Sequence, residues 1–405
     1  MPNQVRHAEH LDAARGTPRH SANRGAMERR NRSALRDGAA VPGRTDVRRT
    51  SRGKPGRLSV AMFALGLGVT SIVASVATTS NGAAPVPPSR ATAAAAATPG
   101  QGIALGAYVQ AVPDSAVPWG WIGQMEASIG HPLALQESFS DWETAAGTPT
   151  PFPMKFVNYV SGLGAAPIIT WQPQQYGTVN LTGSALQTAE APFALSQIIA
   201  GRWDPYIRSW ADQARGYGKL VYVRLMHEMN GSWYPWGNGV NGNTGPAQYV
   251  AAWQHVVDLF RAEGAGNVEF IWCGSTAAPT NPALFYPGDN YVSWIALDGY
   301  NRSSTWKSFT SIFATAYTQI TAVSTRPVMI AEMASQEDPT NPTRKAAWIT
   351  SAYTQEIPFL FPRVRAALYF DGQGSGYSYP LTSSPAALSA FAQVAAAPLY
   401  QAPAS

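Results

Sequence analysis

The chain has 405 residues, enough for one large domain or two of ordinary size. Only 13% of its residues are charged, whereas Gly (36) and Pro (32) are abundant, which indicates a loop-rich globular protein with a large core. Residues 1–57 carry 14 basic and 5 acidic side chains (+9), and the remainder carries 15 and 19 (−4), which together give the net charge of +5. A mildly acidic globular part argues against a nucleic-acid-binding protein and suits a neutral substrate.

The first hundred residues predict an export segment. Residues 1–57 are rich in Arg and lack aromatic side chains, so we expect a disordered cytoplasmic leader. Residues 58–77 contain no charge over a length that spans a bilayer. This segment is either a signal peptide cleaved near Ala77 or an uncleaved signal anchor, and both place the rest of the chain outside the cytoplasm. Residues 78–100, rich in Ala, Pro and Thr, predict a linker, and residues 101–405 a single folded domain.

Eight short apolar or β-rich runs follow, separated by loops and helical stretches. The predicted strands cover residues 103–109, 132–138, 166–171, 219–228, 268–272, 292–298, 327–333 and 365–370. Residues 246–264 have apolar side chains at helical spacing and end at a glycine. Strands that alternate with helices imply parallel βαβ units, and eight of them predict an α/β fold, the (β/α)8 or TIM barrel. An open doubly wound sheet is disfavoured because no glycine-rich phosphate turn follows the first strand.

Polar and aromatic residues cluster where these strands end. In a barrel of this kind the working face lies at the carboxyl ends of the strands. The residues at the ends of the third, fourth, sixth, seventh and eighth strands are Trp171–Pro173, His227, Glu228, Asn230, Asp298–Asn301, Glu332 and Tyr369–Asp371. Acids at the ends of otherwise apolar strands need a reason, so this face is the candidate site.

The fourth strand ends in the sequence HEMNGSWYPWG, residues 227–237. Flat indole and phenol rings such as those of Trp233 and Trp236 stack on the C–H faces of sugars, and amides such as Asn230 bind hydroxyl groups. Two carboxyl groups that meet across a barrel mouth, here Glu228 and Glu332, are the minimum equipment for glycoside hydrolysis. The sequence therefore predicts a carbohydrate-active barrel.

The same residues allow other interpretations. A single glutamate at a strand end is usually solvated, and a tryptophan in such a loop often belongs to the core. A zinc site of the His-Glu-x-x-His type is excluded because position 231 is Gly, and neither a nucleophile elbow nor a phosphate-binding loop occurs. We therefore expect no metal and no cofactor, and we interpret Cys273, the only cysteine, as a buried strand residue. A non-catalytic carbohydrate-binding barrel stays open as an alternative.

Four stretches resemble glycoside hydrolase family 26, best known for endo-β-1,4-mannanases. They are PIITWQP (167–173), RLMHEMNGSWYPWG (224–237), FYPGDNYVSWIALDGYN (285–301) and RPVMIAEMAS (326–335), and they occur in the family's order. The resemblance covers most of residues 101–375 and implies a (β/α)8 barrel that hydrolyses with retention of configuration.

The resemblance also implies roles for single residues. Glu228 would be the acid/base and Glu332 the nucleophile. His227 and Tyr300 would hydrogen-bond near the nucleophile, Trp233 would stack near the cleavage point, and Trp171 would line it.

Strand geometry adds two expectations. Adjacent strand residues point to opposite faces, so His227 and Glu228 both reach the mouth only if the chain bulges or turns there. Arg224 shares its parity with Glu228 and is expected to point inward and pair with the carboxylates. Asp298 is expected to orient neighbouring groups rather than to react.

The sequence thus predicts an exported, retaining endo-β-glycanase that acts on β-mannan. Other β-glycans remain as alternatives, namely mixed-linkage β-glucan, β-1,3-xylan and a cell-envelope polysaccharide. The expected partner is a β-linked polysaccharide, with no nucleic acid, and residues 58–77 could tether a monomer to the membrane.

Overall fold

The computed structural model describes residues 102–110, 119–177, 190–374 and 376–403. The predicted leader, the predicted export segment and the predicted linker all lie outside these ranges. Within them, no helix is both long enough and apolar enough to span a bilayer.

Eight parallel strands close into a barrel in the order of the sequence, β1 pairing with both β2 and β8. The strands are β1 Ala104–Val109, β2 Leu135–Glu143, β3 Ala166–Gln175, β4 Val221–Leu225, β5 Val268–Ser275, β6 Trp294–Asn301, β7 Val328–Ser335 and β8 Val364–Asp371. A two-stranded hairpin, β9 Gln373–Gly374 and β10 Tyr377–Ser378, follows the last strand. The predicted (β/α)8 barrel is confirmed.

Helices connect the strands and cover the outside of the barrel. They are α1 Gly120–Ile129, α2 Met154–Gly162, α3 Leu195–Ile199, α4 Asp204–Tyr217, α5 Pro246–Ala262, α6 Phe309–Val323, α7 Arg344–Ser351, α8 Ile357–Leu360 and α9 Pro385–Ala396. Short 3₁₀ turns lie at Ala191–Phe193, Pro282–Phe285, Asp289–Tyr291, Leu381–Ser383 and Pro398–Tyr400, and a π turn at Ala352–Glu356. Serine side chains begin two of the helices, since Ser308 accepts from the amide of Ser311 and Ser384 from that of Ala387.

The strand register divides the barrel interior into an apolar floor and a polar mouth. Ile168 of β3 pairs with Tyr222 of β4, and both are buried within the apolar cluster inside the barrel. Two residues further along, on the same face, Thr170 pairs with Arg224. The polar layer therefore begins immediately above a dry floor that keeps water from approaching it from below.

Candidate active site

The chain turns sharply where β4 ends, three residues earlier than the sequence predicted. Met226 and Glu228 both adopt left-handed backbone conformations, with φ of 44° and 53°. For residues other than glycine such a conformation costs about 1–3 kcal/mol each, so the surroundings must hold it. The amide of Glu228 donates to the carbonyl of Cys273 (2.8 Å), and Tyr249 Oη donates to the carbonyl of Met226 (3.0 Å). This turn is how His227 and Glu228 both join the site from adjacent positions.

Arg224 is the centre of the polar layer. Its side chain is fully buried and makes ion pairs with carboxylates from three other strands. Nη1 lies 2.8 Å from both oxygens of Asp298, and Nη2 lies 2.8 Å from Glu137 Oε1 and also donates to Glu332 Oε1. Nε donates to Thr170 Oγ1 at 2.7 Å. One guanidinium therefore fixes the positions of Glu137, Asp298 and Glu332 relative to β4.

Glu332 is bound as an anion would be. Its side chain is nearly buried, and each carboxylate oxygen accepts a hydrogen bond: Oε1 from Arg224 and Oε2 from the hydroxyl of Tyr300. Asp298 and Glu332 are register partners on β6 and β7, next to an irregularity in the pairing of those strands. The orientation of the Glu332 carboxylate is therefore set by these two donors.

Glu228 occupies a different environment. Its side-chain donors are neutral: Trp233 Nε1 donates to Glu228 Oε2 at 2.6 Å, and the hydroxyl of Ser275 is a second partner. Burial, together with the nearby charge of Glu332, raises the pKa of Glu228 to about 7. Glu228 is therefore largely protonated in mildly acidic solution and about half protonated near neutrality, whereas Glu332 lies against a guanidinium.

His227 is buried beside these groups. Its Nε2 lies 3.0 Å from the hydroxyl of Tyr234, and burial, helped by the charge of Arg224, lowers its pKa well below the usual range. The imidazole is thus neutral near pH 7. Tyr234 stacks on Trp236, with ring centroids 4.6 Å apart. Trp236 is itself buried and donates to the carbonyl of His227 at 2.6 Å, so it supports His227 and does not face a ligand as predicted.

Two further predicted ligand contacts are corrected. Trp171 is fully buried on the outer face of β3, because the alternate residue Thr170 points inward. Its ring stacks on Trp210 at 4.5 Å between the barrel and the helices, so it cannot line the mouth. Asn230 uses its whole amide within the protein: Nδ2 donates to the carbonyls of Ser275 and Thr280, and Oδ1 accepts from the amide of Ser275, all at 2.9 Å. Asn230 therefore organises the loop from a buried position, with both of its N–H donors used within the protein.

Trp233 remains available at the site. It is 39% exposed, and its indole binds Glu228. The ring rests on Gly231, where an added Cβ would lie only 2.4 Å from the indole. The glycine in this motif is therefore needed for the tryptophan to lie in this position.

Sequence reasoning missed Glu137 and a group of aromatic residues. Glu137 is buried, its Oε2 has no hydrogen-bond partner among the described residues, and burial raises its pKa to about 7. The ring of Tyr108 stacks on Phe370 (4.7 Å) and meets Phe139 edge-on (5.0 Å). The Arg224 guanidinium in turn lies over the ring of Phe139, with Cζ 5.6 Å from the ring centroid. The alternation of inward-facing and outward-facing positions along β1 and β2 could have identified Tyr108, Glu137 and Phe139. Their residue types alone could not.

Three side chains of the site lie close enough together to be considered as ligands of a metal ion. One potential ligand atom each from His227, Asp298 and Glu332 lies within 4.8 Å of the other two. Both carboxylates, however, already bind Arg224, whose positive charge would face any cation placed there. The residues therefore suit an arginine–carboxylate network better than a divalent metal.

Comparison with known proteins finds similarity to enzymes that act on polysaccharides. Residues 204–360 match the sequence profile described as Glycosyl hydrolase family 26. Endoglucanase H of Acetivibrio thermocellus is 33% identical over 300 residues, which is 72% of this chain and 30% of that protein. Mannan endo-1,4-beta-mannosidase A and B of Caldalkalibacillus mannanilyticus is 35% identical over 107 residues, 25% of this chain and 21% of that protein. The chain spans less than a third of the length of either relative.

A solved structure shares the fold. The endo-β-1,4-mannanase from Cellulomonas fimi superimposes with a TM-score of 0.56 at 17% identity, covering 74% of this chain and 71% of that one. A likeness at this identity concerns the backbone architecture alone.

The closed (β/α)8 barrel, together with these matches, makes the chain similar to glycoside hydrolases of the same fold class. Within that class, the similarity is to glycoside hydrolase family 26, whose profile matches residues 204–360.

Proposed function

We propose that the barrel is a retaining endo-β-glycanase in which Glu332 is the nucleophile and Glu228 the acid/base, with β-1,4-mannan as the substrate. The observation that carries this proposal is the unlike environment of the two glutamates. Arg224 and Tyr300 both donate to Glu332, which favours its anion. Glu228 has neutral donors, the indole of Trp233 and the hydroxyl of Ser275, and its raised pKa of about 7 keeps a proton available. Carboxyl groups set apart in this way divide the two tasks of glycoside hydrolysis.

The reaction follows from these roles. Glu332 attacks the anomeric carbon while Glu228 gives its proton to the departing glycosidic oxygen, which leaves a glycosyl-enzyme. Glu228, now ionised, takes a proton from a water molecule that attacks the same carbon, and Glu332 departs. Tyr300 and Arg224 hold Glu332 in line during both steps. The exposed ring of Trp233 beside Glu228 offers a stacking surface to a sugar next to the bond that breaks.

A second candidate substrate is β-glucan. It is favoured by the relative that matches 72% of this chain, which is named an endoglucanase. Mannan is supported by the relative named a mannan endo-1,4-β-mannosidase, whose match covers 25% of the chain. A purely carbohydrate-binding barrel is disfavoured because such a role gives no reason to bury carboxylates around Arg224.

The test is hydrolysis by the purified full chain of a panel comprising β-1,4-mannan, mixed-linkage β-glucan and β-1,3-xylan. Sizing the products distinguishes endo from exo cleavage, and NMR of the earliest products reads their configuration. We expect oligosaccharides released as β-anomers and none from Glu332→Ala. Products released as α-anomers, or activity that survives Glu332→Ala, would overturn the mechanism, and cleavage of glucan alone would replace mannan as the substrate.

We also propose that residues 58–77 export the barrel. The support is the uncharged run that follows the basic leader. A reporter fused after Ser405 should be active only outside the cytoplasm, and activity confined to the cytoplasm would contradict export. Mass spectrometry of the mature amino terminus then distinguishes cleavage near Ala77 from a retained anchor.

A further inference from the structure

A buried lysine lies close to the site without belonging to it. Lys345 is the second residue of α7, and its side chain is fully buried. The amino end of a helix favours anions, because unpaired N–H groups and the helix dipole are both positive there. Burying an ammonium group there removes it from water and also places its charge at the positive end of the helix. Its hydrogen-bond partners must offset both costs.

The contacts lie in one segment of chain, residues 377–384, between β8 and α9. Lys345 Nζ donates to the carbonyl oxygens of Tyr379 (3.1 Å) and Pro380 (2.5 Å) and to Ser383 Oγ (2.8 Å). An ammonium group has three N–H bonds, and here each finds one acceptor. Glu337, in the loop after β7, lies 3.8 Å from the same nitrogen. Lys345 thus ties the 377–384 segment to α7 and to the loop that follows Glu332.

The 377–384 segment reaches the site through Tyr379. The ring of Tyr379 stacks on Tyr300 with centroids 4.8 Å apart and planes 26° apart. The hydroxyl of Tyr300 donates to Glu332. The carbonyl of Tyr379, which Lys345 binds, also accepts from the hydroxyl of Tyr369 on β8 at 2.9 Å. A shift of this segment would therefore move the ring that supports Tyr300.

We propose that the Lys345 ammonium is a positioning group: it holds the 377–384 segment so that Tyr379 keeps the Tyr300 hydroxyl on Glu332. The effect on catalysis rests on the proposed role of Glu332 as nucleophile. Lys345 itself touches no substrate; it acts through Tyr379 and Tyr300.

This device is sensitive to pH. Burial lowers the pKa of Lys345 to about 8, although Glu337 and Asp371 both oppose the shift. The Tyr369 hydroxyl shares the Tyr379 carbonyl with Lys345, and burial raises its pKa, so it stays neutral in this range. A neutral amine donates only two hydrogen bonds to the three acceptors, so one contact with the segment is lost as the pH rises through about 8.

The same titration has an opposite effect on global stability. The folded-state pKa of about 8 lies below the ordinary value of 10.5, so between these pH values the unfolded chain binds more protons. The contribution of this group to the free energy of unfolding therefore rises with pH across that window. Loosening of the segment near pH 8 is thus separable from unfolding.

The test compares wild type with Lys345→Met, and uses Lys155→Met as a control because Lys155 is exposed on α2. At pH 6 we expect kcat on the best glycan to fall about ten- to a hundredfold in Lys345→Met, with a smaller change in KM and no change in the control. The ratio of wild-type to variant kcat should shrink toward one between pH 7 and 9. Such a ratio cancels the titration of Glu228, which both proteins share.

Hydrogen exchange gives a reading that does not depend on activity. The amides of Tyr379, Leu381 and Ser383 are hydrogen-bonded, to the Gly372 carbonyl, to Asp371 Oδ1 and to the Pro380 carbonyl. Their protection factors should fall in wild type as the pH rises from 7 to 9, while those of the barrel strands hold.

Several outcomes would overturn the proposal. They are unchanged kcat in a folded Lys345→Met variant, an equal loss in Lys155→Met, and pH-independent protection of the segment in wild type. The last measurement serves even if Lys345→Met does not fold. If wild type cleaves no glycan, the proposed function fails, and the exchange experiment still decides whether Lys345 holds the segment.

Discussion

Replacing Glu228 by Gln should make the protein both inactive and more stable. The structure raises the pKa of Glu228 from its ordinary 4.5 to about 7, through burial and the charge of Glu332. Between those pH values the folded state keeps a proton that the unfolded chain has released. The contribution of Glu228 to stability is therefore greatest below pH 4.5 and is lost as the pH rises to about 7.

The magnitude follows from the size of the shift. The folded-state pKa of Glu228 lies about 2.5 above its ordinary value. At about 1.36 kcal/mol for each pKa unit, this difference corresponds to about 3 kcal/mol. Glutamine is neutral at every pH, and its carbonyl oxygen can still accept from Trp233 Nε1. The stability of Glu228→Gln relative to wild type should thus increase by up to about 3 kcal/mol between pH 4.5 and pH 8.

Urea unfolding at both pH values measures this difference. Asp258→Asn is a suitable control, because Asp258 is exposed and its ion pair with Arg261 (3.2 Å) lies on the surface. It should change the free energy of unfolding by less than about 1 kcal/mol at either pH. A Glu228→Gln variant whose relative stability is the same at pH 4.5 and pH 8 would refute the reasoning, as would one that retains normal activity on polymeric substrate.

Four other changes test the assignment of the aromatic residues and the nucleophile. Trp171→Ala should lower the free energy of unfolding by about 3–5 kcal/mol, because the ring is fully buried against Trp210, and urea titration measures this loss. Trp233→Ala should leave the unfolding midpoint nearly unchanged and reduce kcat/KM; normal kinetics would remove Trp233 from the site. Gly231→Ala should reduce kcat/KM similarly, because a Cβ there would displace the indole, and a crystal structure with the ring unmoved would contradict this. Glu332→Ala should abolish hydrolysis of every substrate, including aryl glycosides, and any rate near normal would refute its role as nucleophile.

The sequence predicted the barrel well because its signal is repeated. Each strand is a short apolar run between helical stretches, and an error at one boundary leaves the alternation intact. The fourth strand was predicted to run past its observed carboxyl end, to residue 228 instead of Leu225. Its end depends on left-handed conformations at Met226 and Glu228, and neither residue type signals such a turn.

The side chains of the site were harder to assign than the strands. Trp171 and Trp233 are the same residue type at two strand ends, but one is fully buried and the other is 39% exposed. The difference lies in which face of β3 the ring occupies and in how the loop after β4 folds back on Gly231. Residue type predicted stacking for both, and only the three-dimensional structure separates packing from exposure.

Glu137 could not be predicted as a site residue for a different reason: its place in the site depends on the residue it pairs with. It lies on β2, far in sequence from Arg224 and Glu332, yet the same guanidinium nitrogen binds Glu137 and Glu332. Closing the barrel brings four strands to this one cation.

Because Arg224 carries one positive charge, Glu137, Asp298 and Glu332 cannot all be ionised there without excess buried negative charge. The raised pKa of Glu137, about 7, relieves that excess by keeping a proton on the carboxylate that faces no donor at Oε2. Glu332 differs from Glu137 in that each of its oxygens has a donor, Arg224 and the Tyr300 hydroxyl. The arrangement of charge in the mouth, more than any single motif, supports the proposal that Glu332, among several similar carboxylates, is the nucleophile.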